Sequence, residues 1–317
     1  MESYFEDDNN FIPVGLDAVT IFLEASITSR DVFMRDKARR AATALARRLE
    51  QHYVSEAGSL EKADLIDIID FLAEAKYLGI EPTRLLAIAD RMFSESKNDE
   101  DIYGVPTGNL SGASEDTIYE ILMGAYSLEK ANAVYGDRFK VAFRLKDILL
   151  FLKSKSLTPY GEYGDTGNQL AQDHAYLATH MAYVLNNYGR LRLSEMDAPF
   201  LFRYLRDNYD VVLALEDIEL VGEFIDVFRS MGFNSATDAM VRSGTRFLLQ
   251  AQNEDGSWGR WWEEEDPYDA VHYTWCAMAG LRDRTFLQDT HYSRRVQRIL
   301  EQVHFGIGVG PRGMLGN

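Results

Sequence analysis

QNEDGSWGRWWEEEDPYDAVHYTW, residues 252–275, holds all four tryptophans of the chain, a Gly-Ser-Trp-Gly turn, a run of carboxylates and one histidine. Part of it has a precedent earlier in the chain. Gly161-Glu162-Tyr163-Gly164 matches Gly256-Ser257-Trp258-Gly259, and the same offset carries Thr179 onto Thr274, with the apolar runs YLATHMAYVL and VHYTWCAMAGL in register. A looser third copy begins at Ile102-Tyr103-Gly104 and leads through Asp116-Thr117 into IYEILMGAYSL. Each unit is a helix end, a Gly-aromatic-Gly turn, a polar loop and an apolar helix. Glycine supplies the positive φ of a tight reversal, and the aromatic packs back onto the preceding helix. Trp258 is therefore expected to be a structural staple. Helical hairpins of this kind bury little alone and must stack on their neighbours.

Working outward, helical periodicity runs through nearly the whole chain and strand-like alternation is almost absent. Residues 31–53 and 59–79 read as long helices, the second stopped by Gly79, and Pro82 opens another. Further periodic runs lie near 115–132, 139–153, 170–188, 197–208, 214–231, 236–252, 268–282 and 291–303. With a short first helix near 14–27, about twelve helices result. The fold expected is all-α, a single α/α toroid of about six hairpins over 11–305, with inner helices facing one another around an axis. Residues 1–10 are expected to fray. Residues 306–317, with five glycines after Phe305, form a tail that cannot continue a helix.

QNEDGSWG (252–259) resembles the repeat motif of squalene and other terpene cyclases, and DPYDAVHYTWCAMAGL is similar to the late inner-helix segment of protein prenyltransferase β subunits. The clear resemblance covers about 30 residues, with weaker echoes at 161–185 and 102–128. It implies the α/α toroid. The D-x-D-D acid motif, the D-D-x-x-D diphosphate motif and the D-x-C zinc pair are all missing, so neither family's reaction carries over. The zinc-binding histidine of the prenyltransferases falls on or near His272.

The chain of 317 residues carries a formal charge of −17 and is 46% hydrophobic. That balance supports a sizeable core and argues against a nucleic-acid partner, since phosphate binding needs clustered Lys and Arg. A cationic ligand would not be repelled. No run of about 18–20 uninterrupted apolar residues suggests a membrane span, and the acidic start is unlike a signal peptide. The single cysteine excludes an internal disulfide. A reducing, cytoplasmic setting is expected.

In a toroid the loops entering the inner helices gather at one mouth. Asp173, His174, Tyr176, Thr179 and His180 enter one such helix; Asp269, His272, Tyr273 and Thr274 enter its repeat. Three of the six histidines lie in these two segments. Histidine and carboxylate together bind metals or run acid–base chemistry near neutral pH. Between the repeats, LEDIELVGEFIDVF (215–228) has an apolar stripe at Ile218, Val221, Ile225 and Phe228 and a polar stripe at Glu219, Glu223 and Asp226. The polar stripe reads as a solvated outer face; on an inner helix, Glu223 would instead enter the cavity. The candidate metal set is then His180, Glu223 and His272, suited to a divalent transition metal such as zinc, iron, copper or manganese. Asp173, His174, Tyr176 and Asp269 are the candidate acid–base residues. Cys276 reads as core.

Three functions fit. The first is an enzyme of cyclase-like fold acting on a small, largely apolar substrate in a central cavity, with metal dependence through the mouth residues. The second is a carbohydrate-active toroid, lyase or hydrolase, although three tryptophans crowd one turn and do not line a groove. The third is a non-catalytic helical-repeat binder.

Overall fold

A computed structural model of the chain describes residues 4–161, 169–264, 266–288 and 290–303. The described residues are all-helical apart from turns and one isolated bridge between Ser29 and Arg284. In chain order the α-helices are α1 (Asp8–Phe11), α2 (Gly15–Thr28), α3 (Val32–Ser55), α4 (Asp64–Leu78), α5 (Thr83–Glu95), α6 (Asp99–Tyr103) and α7 (Glu115–Tyr135). They continue as α8 (Leu145–Ser154), α9 (Gln169–Asn186), α10 (Pro199–Ala214), α11 (Ile218–Ser230), α12 (Ala239–Gln250), α13 (Pro267–Leu281) and α14 (His291–Val303). All twelve helices expected from periodicity are present, and α1 and α6 are short additions.

Two kinds of helix alternate. α4, α7, α9, α11 and α13 pack on one another in sequence, and α2 packs on α4. α2 is also tied to segments next to α13. Its C-terminal end is tied to the segment after α13, where Thr285 N donates to Thr28 O at 2.6 Å and Arg30 N to Asp283 O at 3.3 Å. The turn before α2, Ile12–Val14, packs on α13. α3, α5, α8, α10 and α12 each pack against one or two of these six. α14 departs from the pattern and packs on α7 and α8.

Burial follows the alternation. α11 is buried at ten of its thirteen positions, polar ones included, as a helix surrounded by helices must be. The solvated outer face expected for Glu223 and Asp226 is therefore overturned: both are buried. α12, outside it, buries only Val241, Gly244 and Leu248.

The N-terminal segment differs from the fraying expected of it. Tyr4–Glu6 and Asp8–Phe11 are helical, and Phe5 and Phe11 are sunk in the core, where the two rings meet edge to face and Arg48 of α3 lies over Phe11. Asp8–Thr28 also reaches membrane-span length and apolarity, a possibility the uninterrupted-run criterion overlooks; 61% of the apolar window is buried against the other helices. The tail beyond Val303 and the first Gly-aromatic-Gly turn lie outside the described residues.

The turn at Trp258 behaves as a staple. Its side chain is buried, Nε1 donates to Leu248 O of the preceding α12 at 2.6 Å, and its backbone N donates to Thr274 Oγ1 at 3.0 Å. Gly256 and Gly259 flank it with φ of 87° and 69°. Tyr103 of the looser copy is also buried and precedes Gly104 at φ 73°, but it donates forward to Phe143 O, ahead of α8, at 2.8 Å and not back to the preceding helix.

Candidate functional site

The six inner helices, α2, α4, α7, α9, α11 and α13, all contribute to the lining of one cavity of about 260 Å³. Its geometry begins with two glycines. A Cβ on Gly222 of α11 would stand 2.6 Å from the backbone of Cys276, and one on Gly280 of α13 would stand 2.7 Å from Gly222 O. Lacking both, α11 and α13 approach backbone to backbone, and the side chains beside the crossing are pressed together. Those side chains are Glu219 and Glu223 on α11 and His272 and Cys276 on α13.

His272 Nδ1 donates to Glu219 Oε1 at 2.8 Å, and Tyr176 OH donates to Glu219 Oε2 at 2.8 Å. This fixes the imidazole tautomer and turns Nε2 toward Cys276 Sγ, 3.5 Å away. Cys276 Sγ is in turn 3.9 Å from Glu223 Oε1. Donor atoms of Glu223, His272 and Cys276 all lie within 4.8 Å of one another, and the three residues are buried. This group can hold a metal ion. Tetrahedral zinc ligands at about 2.0–2.3 Å stand about 3.5 Å apart, close to the separations here. A histidine whose other nitrogen is held by a carboxylate is the usual support for such a ligand.

The electrostatics set the protonation of the three groups. Burial pushes the Glu223 carboxyl up to about 7, although His272 and Thr179 Oγ1, which donates to it at 2.5 Å, pull the other way. Burial likewise raises the Cys276 thiol well above its ordinary value, and Glu223 and Glu219 add to the rise. Burial opposes charge on His272, yet the hydrogen bond and charge of Glu219 hold its pKa above the usual value. A metal bound by these three buried groups would displace the protons that the raised values keep on them.

The structure rearranges the expected set. His272 and Glu223 come together, and Cys276, read as core, joins them. His180 stands beside the group: its Nδ1 donates to Tyr176 O at 2.9 Å and lies 4.0 Å from Glu223 Oε2. Burial drives its pKa down to about 4, so it is a neutral ring. Of the acid–base candidates, Tyr176 positions Glu219. Asp173 accepts from Gln169 at 2.7 Å, and Asp269 is exposed on the first turn of α13; neither is in the cavity lining. His174 is also outside it, with Nδ1 accepting from Thr158 N at 2.7 Å and Nε2 3.3 Å from Glu115. It pins α9 to α7. Sequence reading missed two roles. The i, i+4 spacing of His272 and Cys276 was the available signal for the thiol, whereas Glu219's role depends on which way α11 faces.

Around the metal group the cavity has two unlike walls. On α7, α9 and α13 the rings run in continuous contact. Tyr119 meets His180 at 4.8 Å, His180 meets Tyr183 at 5.4 Å, and Tyr183 stacks on Tyr188 at 5.2 Å. The series continues through Trp275, His272 and Tyr268 at 6.3, 5.9 and 4.6 Å. The facing wall, on α2 and α4, presents Asp17, Glu24, Asp67, Asp70 and Glu74. At its deep end the charges are paired: Lys130 reaches Asp70 and Glu74 at 2.6 Å, Arg190 reaches Glu74 at 2.9 Å, Arg282 reaches Glu24 at 3.3 Å, and Arg284 pairs with Asp226.

Compared with family models, curated proteins and solved structures, the chain matches none.

Proposed function

We propose that the chain is an α/α toroid enzyme whose central cavity is a metal-assisted chamber for a small substrate with an apolar body. The observation that carries the reading is the convergence of Glu223, His272 and Cys276 on the wall of a cavity lined by six helices, with Glu219 behind His272. Nitrogen, sulfur and oxygen donors in this combination favour zinc. Glu223, His272 and Cys276 would hold the ion, which would supply Lewis-acid chemistry in the cavity. Glu219 orients His272, Tyr176 orients Glu219, and Thr179 holds Glu223. The lining of one cavity by all six of these helices and the stapled turn at Trp258 support the toroid.

The test is elemental analysis of tag-free protein beside its Cys276→Ser and His272→Ala variants. Near-stoichiometric zinc, lost from both variants, supports the centre. Folded protein that neither retains nor takes up zinc sinks it.

A second reading has its own observation. Cys276, His272 and Glu219 stand in line as nucleophile, base and orienting carboxylate. Against it, Glu223 lies 3.9 Å from the thiol and raises its pKa with burial. Rapid alkylation of Cys276 by iodoacetamide in metal-free protein at pH 7 would favour the triad; inertness would favour the metal.

A further inference from the structure

We propose that the chamber recognises an organic cation, a substituted ammonium carrying apolar groups. This rests on the reading of the cavity as a substrate chamber, and it names the class of substrate or product.

The two walls make the argument. Aromatic faces carry negative quadrupole charge, and a ring of them with nearby carboxylates is how proteins hold quaternary and alkylated ammonium groups. Tyr119, Tyr183, Tyr188, Trp275 and Tyr268 line one side. Asp17 and Asp67 stand on the other.

Charge accounting decides between ligand classes. Lys130 is the one lysine or arginine in the lining, and Asp70 and Glu74 occupy it. The deep acids have their own arginines. Asp17 and Asp67 have no ion pair among the described residues; His272 pulls the Asp17 carboxyl down but does not offset its burial, and the charged neighbours of Asp67 are carboxylates. An anionic ligand would meet uncompensated carboxylates. A neutral apolar ligand would strip their water and return nothing. A bare inorganic cation would leave the aromatic wall without a partner. An alkylated ammonium satisfies both walls, and a cavity of about 260 Å³ limits it to a small molecule.

The test is isothermal titration of the full chain at pH 8.5, where the carboxylates are ionised. The probes are choline and its uncharged isostere 3,3-dimethylbutan-1-ol, each against chelator-treated and zinc-supplemented protein. Choline should bind at least tenfold more tightly than the isostere. Asp17→Asn should reduce choline affinity about fivefold or more and leave the isostere unmoved, and Tyr188→Leu should weaken choline binding. Asp67→Asn, at the exposed rim, should reduce choline affinity severalfold and gives a second reading if Asp17→Asn fails to fold. Equal affinity for the two probes, or binding of neither, overturns the proposal. Since the chelator-treated arm contains no metal, failure of the metal centre leaves this result readable.

Discussion

Glu219 accepts from His272 Nδ1 and from Tyr176 OH, each at 2.8 Å, one through each carboxylate oxygen. Neither oxygen is left to turn toward the cavity, so Glu219 acts on His272 and through it. Glu219→Gln keeps the shape but weakens the acceptor. Losses of this kind lower metal affinity about 10- to 100-fold. A competition titration with a chromogenic chelator should show a fall of that size for Glu219→Gln and a smaller one for Tyr176→Phe, with helical content unchanged in both. Unchanged zinc affinity in Glu219→Gln would remove the support role.

The approach of α11 to α13 is a second handle on the same site. Gly222→Ala puts a methyl group against the backbone of Cys276, where nothing flexible can yield. Overpacking of this kind costs about 1–3 kcal/mol. The helices must part, which also separates Glu223 from His272 and Cys276. Gly222→Ala should therefore lose zinc as well as stability. Gly244→Ala, which meets the flexible side chain of Ile225 and the Tyr209 hydroxyl on the far face of α11, should lose stability and keep zinc. Equal zinc content in the two variants would separate the crossing from the site.

The helices were legible because apolar spacing is a local property of the chain, and each of the twelve periodic runs is helical. The side on which a helix is covered is not local. Glu219, Glu223 and Asp226 make the same polar stripe whether water or another helix lies over it, and the solvated reading failed for that reason. Gly222 was the clue: it permits a second backbone to approach, which an outer face does not require. Cys276 is buried, as its place in an apolar helix implied, and its standing beside Glu223 is again a matter of which helix covers it. Its apolar neighbours are real, but it sits one turn after His272, and a metal pair needs only that spacing. Asp269 was drawn in by its place in the first turn of α13, where a carboxylate is also favoured simply by the helix dipole.

Burial in the facing wall has a pH signature. Asp17 is partly buried without an ion pair, and its carboxyl is raised from 3.8 to about 7, first by burial and then by Asp67 and Asp70, with His272 opposing. The folded chain thus holds a proton between these values that the unfolded chain has released. Stability falls as pH rises across that window. Asp17→Asn removes the penalty. Its Tm should exceed that of the unaltered protein by roughly 2 °C or more at pH 8, and the gain should vanish near pH 4. A gain of the same size at both pH values would show that ionisation of Asp17 is not its source.

Trp258 tests the architecture apart from the chemistry. Its ring is buried, its indole N–H ends α12 by bonding Leu248 O, and its backbone N–H is taken by Thr274 of α13. It joins an outer helix to the next inner one through the turn between them. Trp258→Ala forfeits the buried ring and leaves the Leu248 carbonyl unpaired, and such losses cost about 3–5 kcal/mol. Trp258→Phe keeps most of the ring and loses only the indole donor, a change of about 1–3 kcal/mol. Chemical denaturation should rank the two in that order. Zinc content should survive in both below their unfolding midpoints, because Trp258 lies on the outer side of α13 from His272 and Cys276 and is absent from the cavity lining. A Trp258→Ala protein as stable as the parent would mean that the turn is held by its glycines alone. The staple would then be incidental to the stacking of the hairpins.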